Sequence, residues 1–148
     1  MSTIVELREV LDICQHPSLG IVLDTFQLTT DPTLFSQLAS LAAVTHFVAL
    51  SDELPPLPGA PLVCRDLRRC APGAGQLPLA EIILALEQAG FQGRYEIQVP
   101  TSVRAQGSYD NLLLSSMIQF RQLYASIATS LTHGMPAPKL SHIPSIAR

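Results

Sequence analysis

Few side chains in this sequence combine reactive chemistry with a setting in which to use it, and most of them fall in one stretch. Arg65, Arg68 and Arg69 form a basic cluster inside a segment rich in proline and glycine. A guanidinium is a planar fork of donors that suits a phosphate or the hydroxyls of a sugar, so Arg69 is a candidate substrate contact. A solvated loop arginine beside Arg65 and Arg68 is the equal alternative. Gly73 and Gly75 follow shortly after and are expected to serve turn geometry rather than to cradle a phosphate. Asp24 closes an apolar run, where a carboxylate can cap the turn that follows. Asp52, directly after Ser51, is expected to fix a strand-end loop by hydrogen bonds. Cys64 and Cys70 flank the basic cluster and read as surface thiols with no helix N-terminus behind them. His46 starts a strand without a cysteine or carboxylate at ligand spacing, so its role is structural. His16, His133 and His142 sit in a turn and in the tail and are not read as ligands.

These residues must be held by a small apolar scaffold. The chain has 148 residues, of which 47% are hydrophobic and only 14% charged. That length supports one domain with a core and falls short of the roughly 250 residues of a whole (β/α)8 barrel. So apolar a chain must bury nearly everything or present a face to a partner. The net charge of −3 and the lack of a Lys/Arg stripe exclude an electrostatic footprint for nucleic acid. Three cysteines with no CxxC pair fit a reducing compartment. The N-terminal segment carries Glu6, Glu9 and Asp12 and has no apolar core of a signal peptide, and no run approaches the ~18 residues of a membrane span. A cytoplasmic α/β domain without membrane or nucleic-acid partners is expected.

The periodicity predicts a helix over 3–15, from Ile4, Leu7, Val10, Leu11 and Cys14. His16-Pro17 ends it. The run at 20–24 reads as a buried parallel strand. Asp31 and Pro32 supply a cap and a first-turn proline for a helix over 32–42, with Leu34, Phe35, Leu38 and Leu41 inward. Strands are predicted at 44–50 and 95–99, with a helix from Pro78 to about Gln88 between them. Gly90 sits where a helix-ending glycine belongs. Residues 53–76 read as a long structureless loop, a type that is uncommon in compact domains and often functional. Ser108 can cap a last helix over 109–129, whose Leu112-Leu113-Leu114 run and Met117 are core or partner surface. The tail over 131–148 carries three prolines and reads as disordered. The order is α-β-α-β-α-β-α: about three parallel strands alternating with four helices, joined by right-handed crossovers.

Periodicity alone leaves a barrel piece and a small flavodoxin-like domain equally open, and motifs separate them. LGIVLDTFQL at 19–28, FVALSD at 47–52, Arg69-x-x-Pro72-Gly73-x-Gly75-x-Leu77-Pro78-Leu79 and ALEQAGFQGRYEIQV at 85–99 occur in that order. Tyr109-x-x-Leu112-Leu113-x-x-Ser116 extends the series into the last helix. Together they resemble the C-terminal part of the sugar phosphate isomerase/epimerase family, the xylose-isomerase-like TIM barrels. The resemblance implies that residues 1–130 form a partial TIM barrel.

It also implies a divalent cation (Mn²⁺, Mg²⁺ or Zn²⁺) in the barrel mouth, polarising a sugar oxygen while carboxylates move a proton at the neighbouring carbon. Carried over by position, Asp24 falls on a ligand site. Gln27 stands where the family has His, Ala49 where many members have His, and Gln98 where the family has a ligand Glu. A glutamine carbonyl is a weak neutral ligand and cannot act as a base, and alanine offers no donor. The metal is therefore not expected to be held by this chain alone: Asp24 is a residual ligand position and no catalytic residue is assigned. Arg69, Gln27 and Gln98 are the candidate substrate-binding residues for a small sugar. The functional expectation is a sugar phosphate isomerase/epimerase-like protein that is partial and catalytically degenerate. Two alternatives stand beside it: a half-barrel that self-associates or pairs with an N-terminal half-barrel partner, and a non-enzymatic sugar-binding or regulatory module. An unrelated small α/β domain is a fourth reading.

Overall fold

A computed structural model of the chain describes residues 4–28, 32–56, 65–98 and 109–132. The elements are α1 (Ile4–Cys14), β1 (Ile21–Asp24), α2 (Thr25–Leu28), α3 (Pro32–Leu41), β2 (Thr45–Leu50), β3 (Asp52–Glu53), β4 (Arg69–Cys70), α4 (Leu79–Gln88), β5 (Arg94–Ile97) and α5 (Tyr109–Thr132). Short 3-10 turns precede β2 and β4. Asp31, Cys64, Ser108 and the tail from residue 133 lie outside the described residues, as do the side chains of Leu34 and Phe35.

β1, β2 and β5 form a parallel sheet in that order. Each crossover passes through a helix, as parallel pairing requires. The alternation of each strand sends Ile21, Leu23, Val48 and Leu50 to one side. There they join Leu38 and Leu41 of α3, Ile82, Ile83 and Leu86 of α4, and Ile127 of α5 in a single core. An aromatic group of Phe91, Tyr95, Phe120 and Tyr124 pins α5 to the end of β5. Tyr95 Oη donates to Glu87 Oε1 at 2.8 Å, and burial with this carboxylate beside it raises the Tyr95 pKa.

The opposite face of the sheet carries Val22, Phe47 and Arg94 in register, with Asp24, Ala49 and Glu96 in the next row. Val22 is 60% exposed and Phe47 39%, so this side lacks a helical layer among the described residues. No helix of the described residues is long and apolar enough to cross a membrane.

The predicted alternation is present, with two differences. A single helical turn, α2, follows β1 directly, so five helices are described instead of four. Thr25 makes this turn: its buried hydroxyl bonds to Ala49 O, Ser51 O and Ser51 N, tying the end of β1 to the end of β2. The second difference is the segment expected to be a structureless loop. Asp52–Glu53 and Arg69–Cys70 pair as a small antiparallel sheet, β3 with β4. The reason is a charge arrangement, described next, that residue periodicity does not register.

Candidate functional site

The C-terminal ends of β1, β2 and β5 carry Asp24, Ser51 and Gln98. The Gln98 N–H donates to Leu50 O at 2.8 Å, which continues the β2–β5 ladder and brings Gln98 beside Ser51. Parallel sheets of this kind place their functional groups at the carboxyl ends of the strands. Over these three ends lies Arg69. Its Nη1 donates to Asp24 Oδ1 at 3.1 Å, Ser51 Oγ at 2.8 Å and Gln98 Oε1 at 3.3 Å. Its Nη2 donates to Asp24 Oδ2 at 3.0 Å. The guanidinium therefore holds both oxygens of the carboxylate, the bidentate arrangement that its fork favours. The Arg69 side chain is 14% exposed, so it is not a solvated loop arginine.

Two further devices fix Arg69. The first is Phe26, fully buried on α2, whose ring lies 4.2 Å from the Arg69 guanidinium carbon and 4.0 Å from that of Arg65. A ring face attracts such cations through its quadrupole. The second is Glu53 on β3, whose side chain is fully buried. Its Oε2 accepts from Arg65 Nε at 3.0 Å and Arg65 Nη2 at 2.6 Å, and its Oε1 forms an ion pair with Arg68 Nη2 at 2.5 Å. A buried carboxylate persists only when paired in this way. Glu53 and Arg69 are cross-strand neighbours in the β3–β4 pair, so the ion pairs that hold the 65–68 turn also place Arg69.

Beneath this lies Asp52. It is 1% exposed, and four backbone N–H groups donate to it. Glu53 N and Leu77 N reach Oδ1 at 2.8 Å each, and Gly73 N and Gly75 N reach Oδ2 at 3.0 Å each. The glycine turn is thus a nest of N–H groups closed around an internal carboxylate. A Cβ at Gly75 would collide with Glu53 O and Asp52 Oδ1, which explains glycine there. Gly73 takes φ +85°, a conformation that costs glycine little.

The structure brings Asp24, Arg69 and Gln98 together, with Ser51 added. Gln27 is exposed on α2 and is not among the described hydrogen-bond partners of Arg69. Asp24 also keeps its expected capping role, accepting from Phe26 N at 2.9 Å. Ala49 is buried in β2 between Asp24 and Glu96 in the sheet register. Cys70, expected at the surface, is buried, and burial together with Asp52 and Glu53 pushes its thiol up to about 11. Ser51, Phe26 and Glu53 were not singled out from the sequence. The signal for Glu53 was present: three arginines in one loop call for a carboxylate, and Glu53 follows the Ser51-Asp52 strand end.

No protein-family model and no curated protein matches the chain. Solved structures do. A xylose isomerase domain protein from Alicyclobacillus acidocaldarius superimposes with a TM-score of 0.66 at 22% identity, covering 85% of this chain and 44% of its own. A xylose isomerase domain containing protein from Salmonella typhimurium gives 0.62 at 17% identity, covering 84% of this chain and 44% of its own. The chain spans less than half the length of these structures, and the likeness identifies its fold as part of a xylose-isomerase-like TIM barrel.

Proposed function

We propose that this chain is a partial, catalytically degenerate member of the sugar isomerase/epimerase type, in which a guanidinium-centred polar site stands at the barrel mouth in place of metal chemistry. The observation that carries the reading is the bidentate pair of Arg69 with Asp24. A divalent ion of the Mg²⁺ or Mn²⁺ class takes several oxygen ligands, with carboxylates supplying the charge. Here one carboxylate is at hand, both its oxygens are engaged by a cation, and Ala49 adds no donor. Among the described residues no group of three His, Cys, Asp or Glu side chains could hold a metal ion. The residues present do not fit the ion, and no step through it is derived.

What the cluster can do is bind. Arg69 supplies donors, and the Gln98 amide and Ser51 hydroxyl supply mixed donor and acceptor capacity, the chemistry that recognises a polyhydroxy compound. No unpaired carboxylate sits in the cluster to take a proton from carbon, which is why a binding role is favoured over turnover. Sugar or sugar phosphate ligands are the class to try. The test melts the purified chain with millimolar Mn²⁺, Mg²⁺ or Zn²⁺ against EDTA, and assays ketose epimerisation and aldose–ketose isomerisation alongside. The expected result is no metal-dependent stabilisation and no turnover. Stabilisation by metal that vanishes in Asp24→Ala would overturn the reading.

A second reading rests on the open sheet face. Val22 and Phe47 lie in register and exposed, and β1 and β5 are both sheet edges. Apolar faces and unpaired edges of this kind invite a partner. In this reading the chain is a half-barrel that completes itself with a second copy or with a separate half-barrel. Sedimentation measures it: a well-folded 16.0 kDa monomer that binds no partner half contradicts assembly.

A further inference from the structure

Three oxygens from the ends of three strands meet at one nitrogen. Asp24 Oδ1, Ser51 Oγ and Gln98 Oε1 lie 3.1, 2.8 and 3.3 Å from Arg69 Nη1. They are a carboxylate, a hydroxyl and an amide oxygen, all hard donors of the kind that Mg²⁺, Ca²⁺ and Mn²⁺ accept. Such convergence on a point describes a seat for a cation, and the cation sitting in it is a side chain. We propose that Arg69 is a tethered cation in an oxygen seat, and that the seat remains competent for a divalent ion once the guanidinium is taken away. The inference rests on the metal-independent reading above, yet the two are separable. That reading concerns the intact chain, and this one concerns the seat beneath Arg69.

The geometry makes the exchange plausible in size. Bonds of oxygen to these ions are about 2.0–2.6 Å, so each of the three oxygens would need to close in by roughly 0.5–1 Å. Side-chain torsions at a strand end supply such a shift without moving the sheet. The donor set is thin, with one charge, so the unmasked seat would be weak and would keep several waters. The intact chain does not release its cation easily. Arg69 is held through the β3–β4 pair, the Phe26 ring and both oxygens of Asp24. A positive charge is thereby fixed at the mouth independently of the ions in solution. A ligand oxygen arriving there meets N–H donors of constant charge, insensitive to chelators.

The experiment measures Mn²⁺ binding by water-proton relaxation in the full chain and in variants whose folding is verified by circular dichroism. Arg69→Ala is expected to bind Mn²⁺ at least about tenfold tighter than the unaltered chain, a difference of about 1.4 kcal/mol. Arg69→Met, which keeps the aliphatic stem over Phe26, serves if the alanine variant fails to fold. Adding Asp24→Asn to either is expected to abolish the gain. Arg69→Lys is expected to behave as the unaltered chain, because an ammonium keeps the seat filled. The inference is overturned if neither neutral variant gains affinity, if the gain survives Asp24→Asn, or if the lysine variant gains as much as alanine. Tight Mn²⁺ binding by the unaltered chain would instead remove the metal-independent reading itself.

Discussion

Replacing Asp52 with alanine is expected to cost more stability than any change at Arg69, although Asp52 touches no ligand position. Its two oxygens collect four backbone N–H groups at 2.8–3.0 Å from both sides of the arginine loop. The magnitude follows from where each donor goes when the carboxylate is gone. Glu53 is buried and Leu77 half-buried, so their N–H groups lose a charged acceptor with poor access to water. Each is worth about 1.5 kcal/mol, toward the lower end for an orphaned donor. Gly73 and Gly75 are exposed, and water takes over most of their bonds at about 0.5 kcal/mol each. The expected loss is about 4 kcal/mol, a large share of the ~5–15 kcal/mol that holds a domain together. For a chain of this length it corresponds to a fall in Tm of about 12 °C. Asp52→Asn is expected to lose at least half as much. An asparagine oxygen can serve one pair of N–H groups, but its NH2 then faces the other pair. Urea unfolding followed by circular dichroism, with equal slopes for the variants, gives the difference directly. A loss below about 1 kcal/mol for Asp52→Ala would refute the view that this carboxylate organises the loop.

Two further outcomes follow from the same architecture. Glu53→Gln leaves Arg65 and Arg68 without their shared charge. Because both guanidiniums are partly exposed and can rehydrate, the expected cost is about 2 kcal/mol in the urea midpoint, below the 3–5 kcal/mol of a fully enclosed pair. Cys70 titrates at about 11 in the fold against an ordinary 9.0, so the fold favours the neutral thiol. Its contribution to stability is full below pH 9 and is lost as pH rises from 9 to 11. At pH 8 peptide mapping after brief alkylation should find exposed Cys14 modified and Cys70 untouched; rapid labelling of native Cys70 would contradict its burial.

Much of the scaffold was legible because it rests on short-range pattern. The runs ending at Asp24 and Leu50, the proline and glycine that bracket α4, and the periodicity of α5 each report their element locally. Gly90, at φ +79°, closes α4 as its position promised. The functional end was legible only in part. Asp24, Arg69 and Gln98 could be named from aligned motifs, and Asp52 from its strand-end position. That Arg69 lies on Asp24 could not, because the two are 45 residues apart and nothing local specifies the pairing. The same holds for Glu53 with Arg65 and Arg68, which turn an apparent loop into β3 and β4. Cys70 was misplaced for a related reason: beside two arginines it reads as surface, but those arginines turn toward a buried carboxylate and Cys70 is buried as the partner of Asp52 in the β3–β4 register. Gln27 shows the converse. Its motif position pointed to the site, yet the one-turn α2 leaves it exposed.

The most direct test of the central claim is to observe the Arg69 guanidinium itself while divalent ions are added. In the ¹⁵N-labelled chain, the Arg69 side-chain signals can be assigned by their loss in Arg69→Lys and followed during titration with Mg²⁺ and then Mn²⁺. The expected result is that they stay in place, without paramagnetic broadening, through millimolar metal, because the guanidinium remains paired with Asp24. Saturable displacement of those signals by Mg²⁺, with broadening by Mn²⁺ centred on Asp24, Ser51 and Gln98, would contradict the claim.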